Sequence, residues 1–233
     1  MPGNLAGVAA VERAASLLEA FTDRDFTLTL AELARRVELD KATVLRISRS
    51  LAKHQLLIRN DDASWRLGPK LMKLGNIYQS TFRASDIVEP LLASLVAETG
   101  ESAAVYVREG DERLCLFRHD SHQSIRHSAR VGSTYPLDRG APGRVILAFS
   151  GQSGEIYQQI REAGYFATQG ERDPQVASLA VPVFRDGSAL FGSLALTGPP
   201  ARFSEDAIKK NLEILQVAAR KLSVAMGGEL GTT

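Results

Sequence analysis

Apolar residues at helical spacing predict a short helix over residues 30–37. Four of them stand at positions i, i+3, i+4 and i+7, on one face of a helix: Leu30, Leu33, Ala34 and Val37. Thr29 precedes this segment and is a natural N-cap, because its hydroxyl can accept a hydrogen bond from the first turn. One face of this helix is therefore predicted to be buried and the other solvated.

A second amphipathic helix is predicted from residue 41 to about residue 53, with Asp40 as its cap. Val44, Ile47 and Leu51 form its inward stripe. The outer face combines positive charge with hydroxyl groups and consists of Thr43, Arg46, Arg49, Ser50 and Lys53. Such a face suits the major groove of DNA, because arginine can bind guanine edges and threonine can touch a thymine methyl group or a phosphate.

A β-hairpin is predicted to follow the second helix. The runs 56–59 and 64–67 flank a turn-forming segment at 60–63, and Arg59 and Arg66 lie on the two stems. Two helices followed by a hairpin form the layout of a winged helix-turn-helix, in which the second helix meets the DNA bases. We expect base contacts from Lys41, Thr43, Arg46 and Arg49, and phosphate contacts or supporting roles from Thr29, Ser50, Arg59 and Arg66.

The distribution of charge supports DNA binding. Residues 39–70 hold seven Lys or Arg against three Asp, although the whole chain carries a net charge of only +1. The basic surplus therefore lies where the DNA contact is predicted. The alternative is a helical hairpin with an ordinary solvated face, since charged outer faces are usual for surface helices.

Composition indicates a globular protein of two modest domains. The chain has 233 residues, of which 44% are hydrophobic and 24% charged, enough to bury a sizeable core. No apolar run is long enough to span a membrane, and the N-terminus shows no secretion signal, so we expect a cytoplasmic protein without membrane contact. Cys115 is the only cysteine, which excludes an internal disulfide and fits a reducing compartment.

The sequence predicts five segments. They are a mobile tail (1–7), the winged helix-turn-helix (8–67), a linker helix (68–83), a C-terminal domain (84–226) and a tail (227–233). In the first helix, five apolar residues are expected to face the core: Val8, Val11, Ala15, Leu18 and Phe21. The linker helix carries an apolar stripe of Leu71, Leu74 and Tyr78, which could pack on its own module or, as we favour, on a second subunit.

The C-terminal domain mixes helix and strand patterns. A helix is predicted from Asp86 to Thr99, strands at 103–108, 113–118 and 125–131, a hairpin of 177–184 with 189–196, and a terminal helix that opens at Ser204. The fold class is therefore α+β, with an antiparallel sheet flanked by helices.

A segment rich in small residues, 132–144, leads into an apolar helix at 145–149. A helix that begins near Pro142 would direct free N–H groups and a positive dipole at an anion, such as a carboxylate, and Arg144 could assist. The alternative is that glycine and proline only form a loop before the helix and bind no ligand.

The order of these motifs resembles the IclR family of bacterial transcriptional regulators. The resemblance covers nearly the whole chain. It rests on residues 11–18 (VERAASLL), 30–34 (LAELA), 40–46 (DKATVLR), 65–71 (WRLGPKL), 132–149, 164–165, 170–171 and 179–184 (LAVPVF).

The resemblance implies a homodimer or dimer of dimers that binds double-stranded operator DNA and controls a catabolic operon. It also implies a GAF-like effector-binding domain that senses a small organic or aromatic acid. The implied pocket residues are Leu137, Ala141, Pro142, Gly143, Arg144, Asp173, Val176, Ser178, Ala195 and Thr197. Glu171 is the alternative to Asp173 as the acidic contributor. Relatives often have His at position 138, Lys at 144 and a hydroxyl at 195, and their replacement here by Asp138, Arg144 and Ala195 suggests a larger or less polar ligand, such as an aromatic acid.

Two other classes of function are a metal- or redox-responsive regulator and an enzyme. Cys115, His119, Asp120, His122 and His127 lie close in sequence and could serve a metal- or redox-responsive regulator. Surface histidines and a small core cysteine are the simpler interpretation, so no metal site is predicted. The chain also lacks a Gly-x-Ser-x-Gly elbow, a phosphate-binding loop and a His-Glu-x-x-His motif, so neither an enzyme nor a cofactor is expected. A sensor that does not bind DNA is a remote alternative.

Overall fold

The computed structural model describes residues 7–22, 24–80, 85–125, 129–171 and 173–227. Internal contacts divide the chain into two compact units, and the division falls between Thr81 and Phe82. We call them the N-terminal and the C-terminal unit. Most of the two predicted tails, residues 1–6 and 228–233, lies outside the described residues. No described helix is both long and apolar enough to cross a membrane.

The N-terminal unit consists of four helices and a two-stranded hairpin. Its elements are α1 (Ala9–Glu19), α2 (Leu30–Arg36), α3 (Lys41–Lys53), β1 (Leu57–Arg59), β2 (Trp65–Leu67) and α4 (Pro69–Ser80). The hairpin is antiparallel, with Leu57 opposite Leu67. The backbone of Leu28 pairs with that of Trp65 through two hydrogen bonds of 2.8 Å, and it adds a third short stretch to this sheet.

The starts of α2 and α3 are fixed by side-chain caps, as the sequence predicts. Thr29 and Glu32 form a capping box, in which the Thr29 hydroxyl accepts from the Glu32 N–H at 3.2 Å and the Glu32 carboxylate accepts from the Thr29 N–H at 2.8 Å. The Asp40 carboxylate accepts from the Thr43 N–H at 2.8 Å, and this bond lowers the Asp40 pKa. Both helix starts therefore follow from local sequence.

The core of the N-terminal unit confirms the inward faces of α2 and α3 but corrects that of α1. Val44 and Leu51 are buried and Ile47 is half-buried. In α1, however, Val8, Val11 and Ala15 are exposed, and Leu17 is the buried residue. The expected stripe was wrong for these three residues because the first turns of α1 extend past the core, whereas the predicted Leu18 and Phe21 do pack against it.

The C-terminal unit is built on a six-stranded antiparallel sheet. Its helices are α5 (Ser85–Thr99), α6 (Ala141–Phe149), α7 (Glu155–Ala163) and α8 (Glu205–Ala225), with a short 3₁₀ turn at Pro200–Arg202. Its strands are β3 (Ser102–Glu109), β4 (Glu112–His119), β5 (Thr134–Pro136), β6 (Phe166–Gln169), β7 (Ala177–Arg185) and β8 (Ala189–Gly198). The strand order across the sheet is β5-β4-β3-β8-β7-β6.

Helices cover both faces of this sheet. One cluster of buried residues joins α5 and α8 to alternate strand positions such as Val105, Leu179 and Leu196. A second cluster joins α6 and α7 to the positions between them, such as Ala104, Ala180 and Ala195. Because successive strand residues point to opposite faces, the near-continuous apolar runs of β3, β7 and β8 supply both cores. The α+β fold class is confirmed.

One strand was predicted in the wrong place. Residues 125 and 129–131, the described part of the segment 125–131, form no strand. The chain turns at Arg130–Ser133, where the Ser133 N–H donates to the Arg130 carbonyl and Gly132 takes a φ of +86°. The strand that pairs with β4 begins at Thr134, at the end of that turn, and it forms the edge of the sheet as β5. Helix α7 and strand β6 had not been predicted from the sequence.

Candidate nucleic-acid interface and ligand pocket

The outer face of α3 is basic and open to solvent. Lys41, Arg46 and Arg49 are exposed and Thr43 is half-buried, on the side away from the core residues Val44 and Leu51. Within the described residues, none of the three cations makes an ion pair or a side-chain hydrogen bond. Their charge and their donors therefore face outward without internal competition.

The four residues with predicted supporting roles differ in how they are used. Thr29 caps α2, Ser50 donates to the Arg46 carbonyl at 3.2 Å, and Arg66 Nε donates to the Asn60 side chain at 3.2 Å. Arg59 is exposed on β1. These bonds hold the side chains of Thr29, Ser50 and Arg66 at the surface of the helix start, the helix and the hairpin.

The tip of the hairpin is acidic. Asp61 and Asp62 are exposed there, and Asp62 accepts from both the N–H and the hydroxyl of Ser64 at 3.0 and 2.6 Å, which lowers its pKa. Ala63 completes the turn with a φ of +64°. The positive charge of this hairpin, Arg59 and Arg66, lies on its stems. The carboxylates at the tip would repel DNA phosphates.

The start of α6 is closed by internal acceptors. The Gly140 N–H donates to a Glu171 oxygen at 2.6 Å, and the Ala141 N–H reaches the hydroxyls of Thr168 and Ser178 at 3.1 and 3.2 Å. The sequence suggested that these donors would be free for an anion. In the structure, a carboxylate of the chain itself stabilises the positive end of the helix.

Arg144 binds the same carboxylate. Its guanidinium pairs with Glu171 Oε1, with an Nε–Oε1 distance of 2.7 Å, and this pairing raises the Arg144 pKa. Arg144 also lies 6.0 Å from the ring centre of Phe166. Arg144 and Glu171 thus tie α6 to the segment that follows β6.

Two glycines allow the chain to pass close to a buried arginine. A Cβ at Gly143 would collide with the Leu137 carbonyl oxygen and would stand 2.7 Å from Arg113 Nη1. Gly140 has a φ of +78°, which disfavours other residues. The small residues of this segment therefore serve the close approach of Arg113 to the start of α6.

A cavity lies beside the start of α6, with a free volume of about 20 Å³, room for roughly one water molecule. Its walls come from β3, β4, β5, β7, β8, the start of α6 and the segment around β6. They consist of Tyr106, Arg113, Tyr135, Gly140, Pro142, Thr168, Val176, Ser178 and Thr197. A larger ligand requires these side chains to move apart.

Four of the ten residues that sequence indicated as effector-binding line this cavity: Pro142, Val176, Ser178 and Thr197. Ala141 and Gly143 belong to the first turn of α6, whereas Leu137 and Ala195 are buried in the adjacent core. Arg144 is held by Glu171. Asp173 accepts from the Gln175 N–H at 2.9 Å in a turn.

Sequence reasoning missed Tyr106, Arg113, Tyr135 and Thr168. They lie on four separate strands that only the folded sheet brings together. One feature of the sequence could have identified Arg113. Arg113 and Cys115 alternate with the apolar Leu114 and Leu116, which places an arginine on the same sheet face as a buried cysteine.

The metal or redox alternative gains no geometric support. Among the described residues, no three His, Cys, Asp or Glu side chains lie close enough to hold a metal ion, and His127 falls outside the described residues. The rings of His119 and His122 meet edge to face at 6.2 Å. Burial raises the pKa of the Cys115 thiol to about 11, which keeps it protonated and unreactive.

Comparisons with known proteins agree with this architecture. Among curated proteins, the chain is 26% identical to the HTH-type transcriptional regulator BhcR of Paracoccus denitrificans, over 94% of this chain and 88% of that protein. Among solved structures, an IclR transcriptional regulator from Alicyclobacillus acidocaldarius superposes with a TM-score of 0.80 at 23% identity, over 95% of this chain and all of that one.

A third similar protein was solved with a ligand. It is an IclR homolog from Microbacterium hydrocarbonoxydans complexed with 4-hydroxybenzoate, with a TM-score of 0.81, 21% identity and coverage of 94% of this chain and 99% of that one.

Family models match both units. The IclR helix-turn-helix domain matches residues 10–61, and the C-terminal domain of the bacterial transcriptional regulator IclR matches residues 79–155 and 153–224. The basic outer face of α3 lies inside the first match and the cavity beside α6 inside the second. The chain therefore belongs to the IclR family, and it is a DNA-binding transcriptional regulator rather than an enzyme.

Proposed function

We propose that this regulator reads operator DNA with the outer face of α3 and that a small organic acid, most suitably an aromatic one, controls this binding from the cavity beside α6. The proposal rests on one combination of features: one unit has an exposed basic helix face, and the other has a polar-lined cavity. The controlled genes would be a catabolic operon for the acid concerned.

On the DNA side, Lys41, Thr43, Arg46 and Arg49 are proposed to meet base edges in the major groove. Their support is the exposure of the three cations, which make no side-chain bond in the described part of the chain, and the half-exposed position of Thr43 beside them. Arg59 and Arg66 on the hairpin stems, with Thr29 and Ser50, are proposed to touch phosphates or to support the reading residues. The acidic hairpin tip would stay away from the backbone.

On the ligand side, the walls of the cavity suit an acid with an apolar body. Two tyrosine rings and Val176 supply apolar surface, while Ser178, Thr197 and Arg113 supply hydrogen-bond donors. The similar protein complexed with 4-hydroxybenzoate supports an aromatic acid. Because the free volume is small, ligand binding must shift the residues around the start of α6, which couples the ligand to a structural change.

We further propose that the protein works as a homodimer or a dimer of dimers through α4. This helix exposes three large apolar side chains on one face: Leu74, Ile77 and Tyr78. An apolar stripe of this kind is suited to a symmetry mate, and two winged helices are suited to a two-fold operator. Light scattering of the purified protein tests the assembly, and a monomer at micromolar concentration would contradict it.

The test of the function is the affinity for DNA with and without an acid. A duplex selected from a random library by the purified protein is titrated by fluorescence anisotropy, in the presence of benzoate or 4-hydroxybenzoate and in their absence. We expect at least one acid to change the dissociation constant by about 5- to 150-fold, the usual range of allosteric coupling. Identical affinities at acid concentrations that saturate the protein would contradict the proposal.

A further inference from the structure

Helices α5 and α8 form an open groove on the surface of the C-terminal unit. The groove has a free volume of about 360 Å³. Its lining includes the apolar Ile214 and Val217, together with three charged side chains, which are Glu98, Glu213 and Lys221. An apolar floor with charged edges is typical of a surface that binds another protein surface.

Two valines are exposed along the outer ridge of α8. Val217 is 44% exposed and Val224 is 54% exposed. They stand seven residues apart, so they lie on the same ridge of the helix, two turns from each other. A β-branched side chain loses rotamer freedom in a helix, so an exposed valine has little local advantage at either position. Burial against a partner would supply the missing advantage.

Opposite charges flank Val217 at equal distances along α8. Glu213 stands four residues before it and Lys221 four residues after it, so the three side chains share one face of the helix. Both charged side chains are exposed, and neither forms an ion pair with any residue that the structure describes. Eight residues of helix separate them by about 12 Å along the axis, too far for a direct pair within one chain.

This face of α8 is complementary to a second copy of itself. When two α8 helices lie antiparallel around a two-fold axis at Val217, each Glu213 stands opposite the partner's Lys221. In the same arrangement, the aliphatic stem of Lys210 covers the partner's Val224. A parallel pair would place like charges opposite each other, so the charges favour the antiparallel order.

We infer that the groove between α5 and α8 is a contact surface between copies of this chain, in which two α8 helices pair antiparallel around Val217. This surface is separate from the proposed contact through α4. The inference rests on that proposed contact only for the number of chains, because two different two-fold contacts per chain join two dimers into an assembly of four.

The first test measures the mass of the full-length protein by sedimentation equilibrium at micromolar concentration. We expect four chains in the wild type and two in Val217→Glu, because this substitution places two carboxylates against each other at the axis. Leu74→Glu disrupts the proposed α4 contact and should also leave two chains. The variant with both substitutions should contain one chain. Val217 and Leu74 are exposed, so all these variants should fold, which circular dichroism checks.

Charge reversal in the Leu74→Glu background tests the pairing of α8 alone. Glu213→Lys and Lys221→Glu each place like charges opposite each other, and each should raise the dissociation constant between the two chains by about 10-fold or more. The double reversal restores opposite charges and should return this constant to within about threefold of that in the background. Glu162→Lys is the matched control, because it makes the same charge change at an exposed position of α7, on the opposite face of the sheet.

The outcomes separate this contact from the proposed α4 contact. An unchanged mass of Val217→Glu would overturn the inference, and it is also the result expected if the groove binds a different protein or a small apolar molecule. A double reversal that associates as weakly as the single ones would overturn it too, because Glu213 and Lys221 would then not face each other. A wild type of two chains that Val217→Glu separates and Leu74→Glu leaves intact would support the inference and contradict the α4 contact.

Discussion

Two pairs of arginines, one pair in each unit, are used in opposite ways. In the N-terminal unit, the side chains of Arg46 and Arg49 are exposed and make no hydrogen bond or ion pair with any described residue. In the C-terminal unit, Arg113 binds the carbonyls of Pro136 and Arg139, and Arg202 holds the buried Glu101 at 2.5 and 2.7 Å. The first pair faces solvent, whereas the second pair holds loops of its own unit.

This difference has a consequence for each kind of binding. An exposed arginine exchanges water and counterions for phosphate and needs no rearrangement of the protein. A buried arginine such as Arg113 is tied to the carbonyls around it, so a shift of its side chain would disturb the chain from Pro136 to Arg139. This contrast is consistent with the proposal that the N-terminal unit binds DNA and the C-terminal unit binds a small ligand.

The largest expected effect comes from removing the one tryptophan. Trp65 is 1% exposed and joins the hairpin to Leu28 in the small core of the N-terminal unit. Trp65→Ala should lower the free energy of unfolding of this unit by about 3–5 kcal/mol, a large share of the stability of a small domain. Urea denaturation followed by circular dichroism measures the loss.

Trp65→Phe is the control, because it keeps an apolar ring at this position and should lose less. The Ala variant should also lose DNA affinity while the C-terminal unit still binds benzoate as the wild type does. A wild-type urea midpoint for Trp65→Ala would show that the core does not depend on this residue.

A smaller effect is expected from a substitution on the basic outer face of α3. Arg46→Ala should weaken binding to the selected duplex by about 5- to 150-fold, because a bidentate arginine contact to a base contributes about 1–3 kcal/mol. Fluorescence anisotropy at fixed salt measures this. Arg24→Ala removes an exposed charge of the same unit away from α3 and should change affinity little. Equal losses of DNA affinity in both variants would show that Arg46 contributes only nonspecific positive charge.

The smallest effect concerns the pH dependence of the N-terminal unit. Arg36 and Thr22 hydrogen-bond the Asp25 carboxylate and hold its pKa well below its usual 3.8. The resulting stability is present above pH 3.8 and is lost as the pH falls further and the carboxylate becomes protonated. Asp25→Asn should therefore be slightly less stable than the wild type from pH 7 to about pH 5, and the gap should shrink in more acidic solution.

Urea midpoints at pH 7, 5 and 3 test this expectation. Asp61→Asn removes an exposed carboxylate at the hairpin tip and serves as the control. A gap between Asp25→Asn and the wild type that stays constant down to pH 3 would contradict it.

Local signals explain why the N-terminal unit could be predicted well. The caps Thr29 and Asp40, the apolar spacing of α2 and α3 and the turn at 60–63 all act over a few residues. The face of α1 was misjudged because two apolar stripes fit the same helical spacing, and only the packing decides that Leu17 is buried.

The ligand pocket could be predicted only in part, because its walls come from distant strands. Ser178 and Thr197 were found through the resemblance to a family, and they pair across β7 and β8. Arg113 was missed since one arginine in a strand reads as a surface charge. Glu171 was indicated only by the resemblance, as an alternative to Asp173, since it is 31 residues from the Gly140 N–H that it binds.

The central claim is that the basic outer face of α3 binds the operator and that an acid in the cavity beside α6 controls this binding. Anisotropy titrations of the selected duplex with the wild type and Arg46→Ala, each with and without saturating benzoate or 4-hydroxybenzoate, test it most directly. We expect at least one of the acids to change the DNA affinity of the wild type, and Arg46→Ala to lose DNA affinity while it binds that acid as the wild type does. Wild-type DNA affinity in Arg46→Ala, or a wild-type affinity that neither acid changes, would contradict the account.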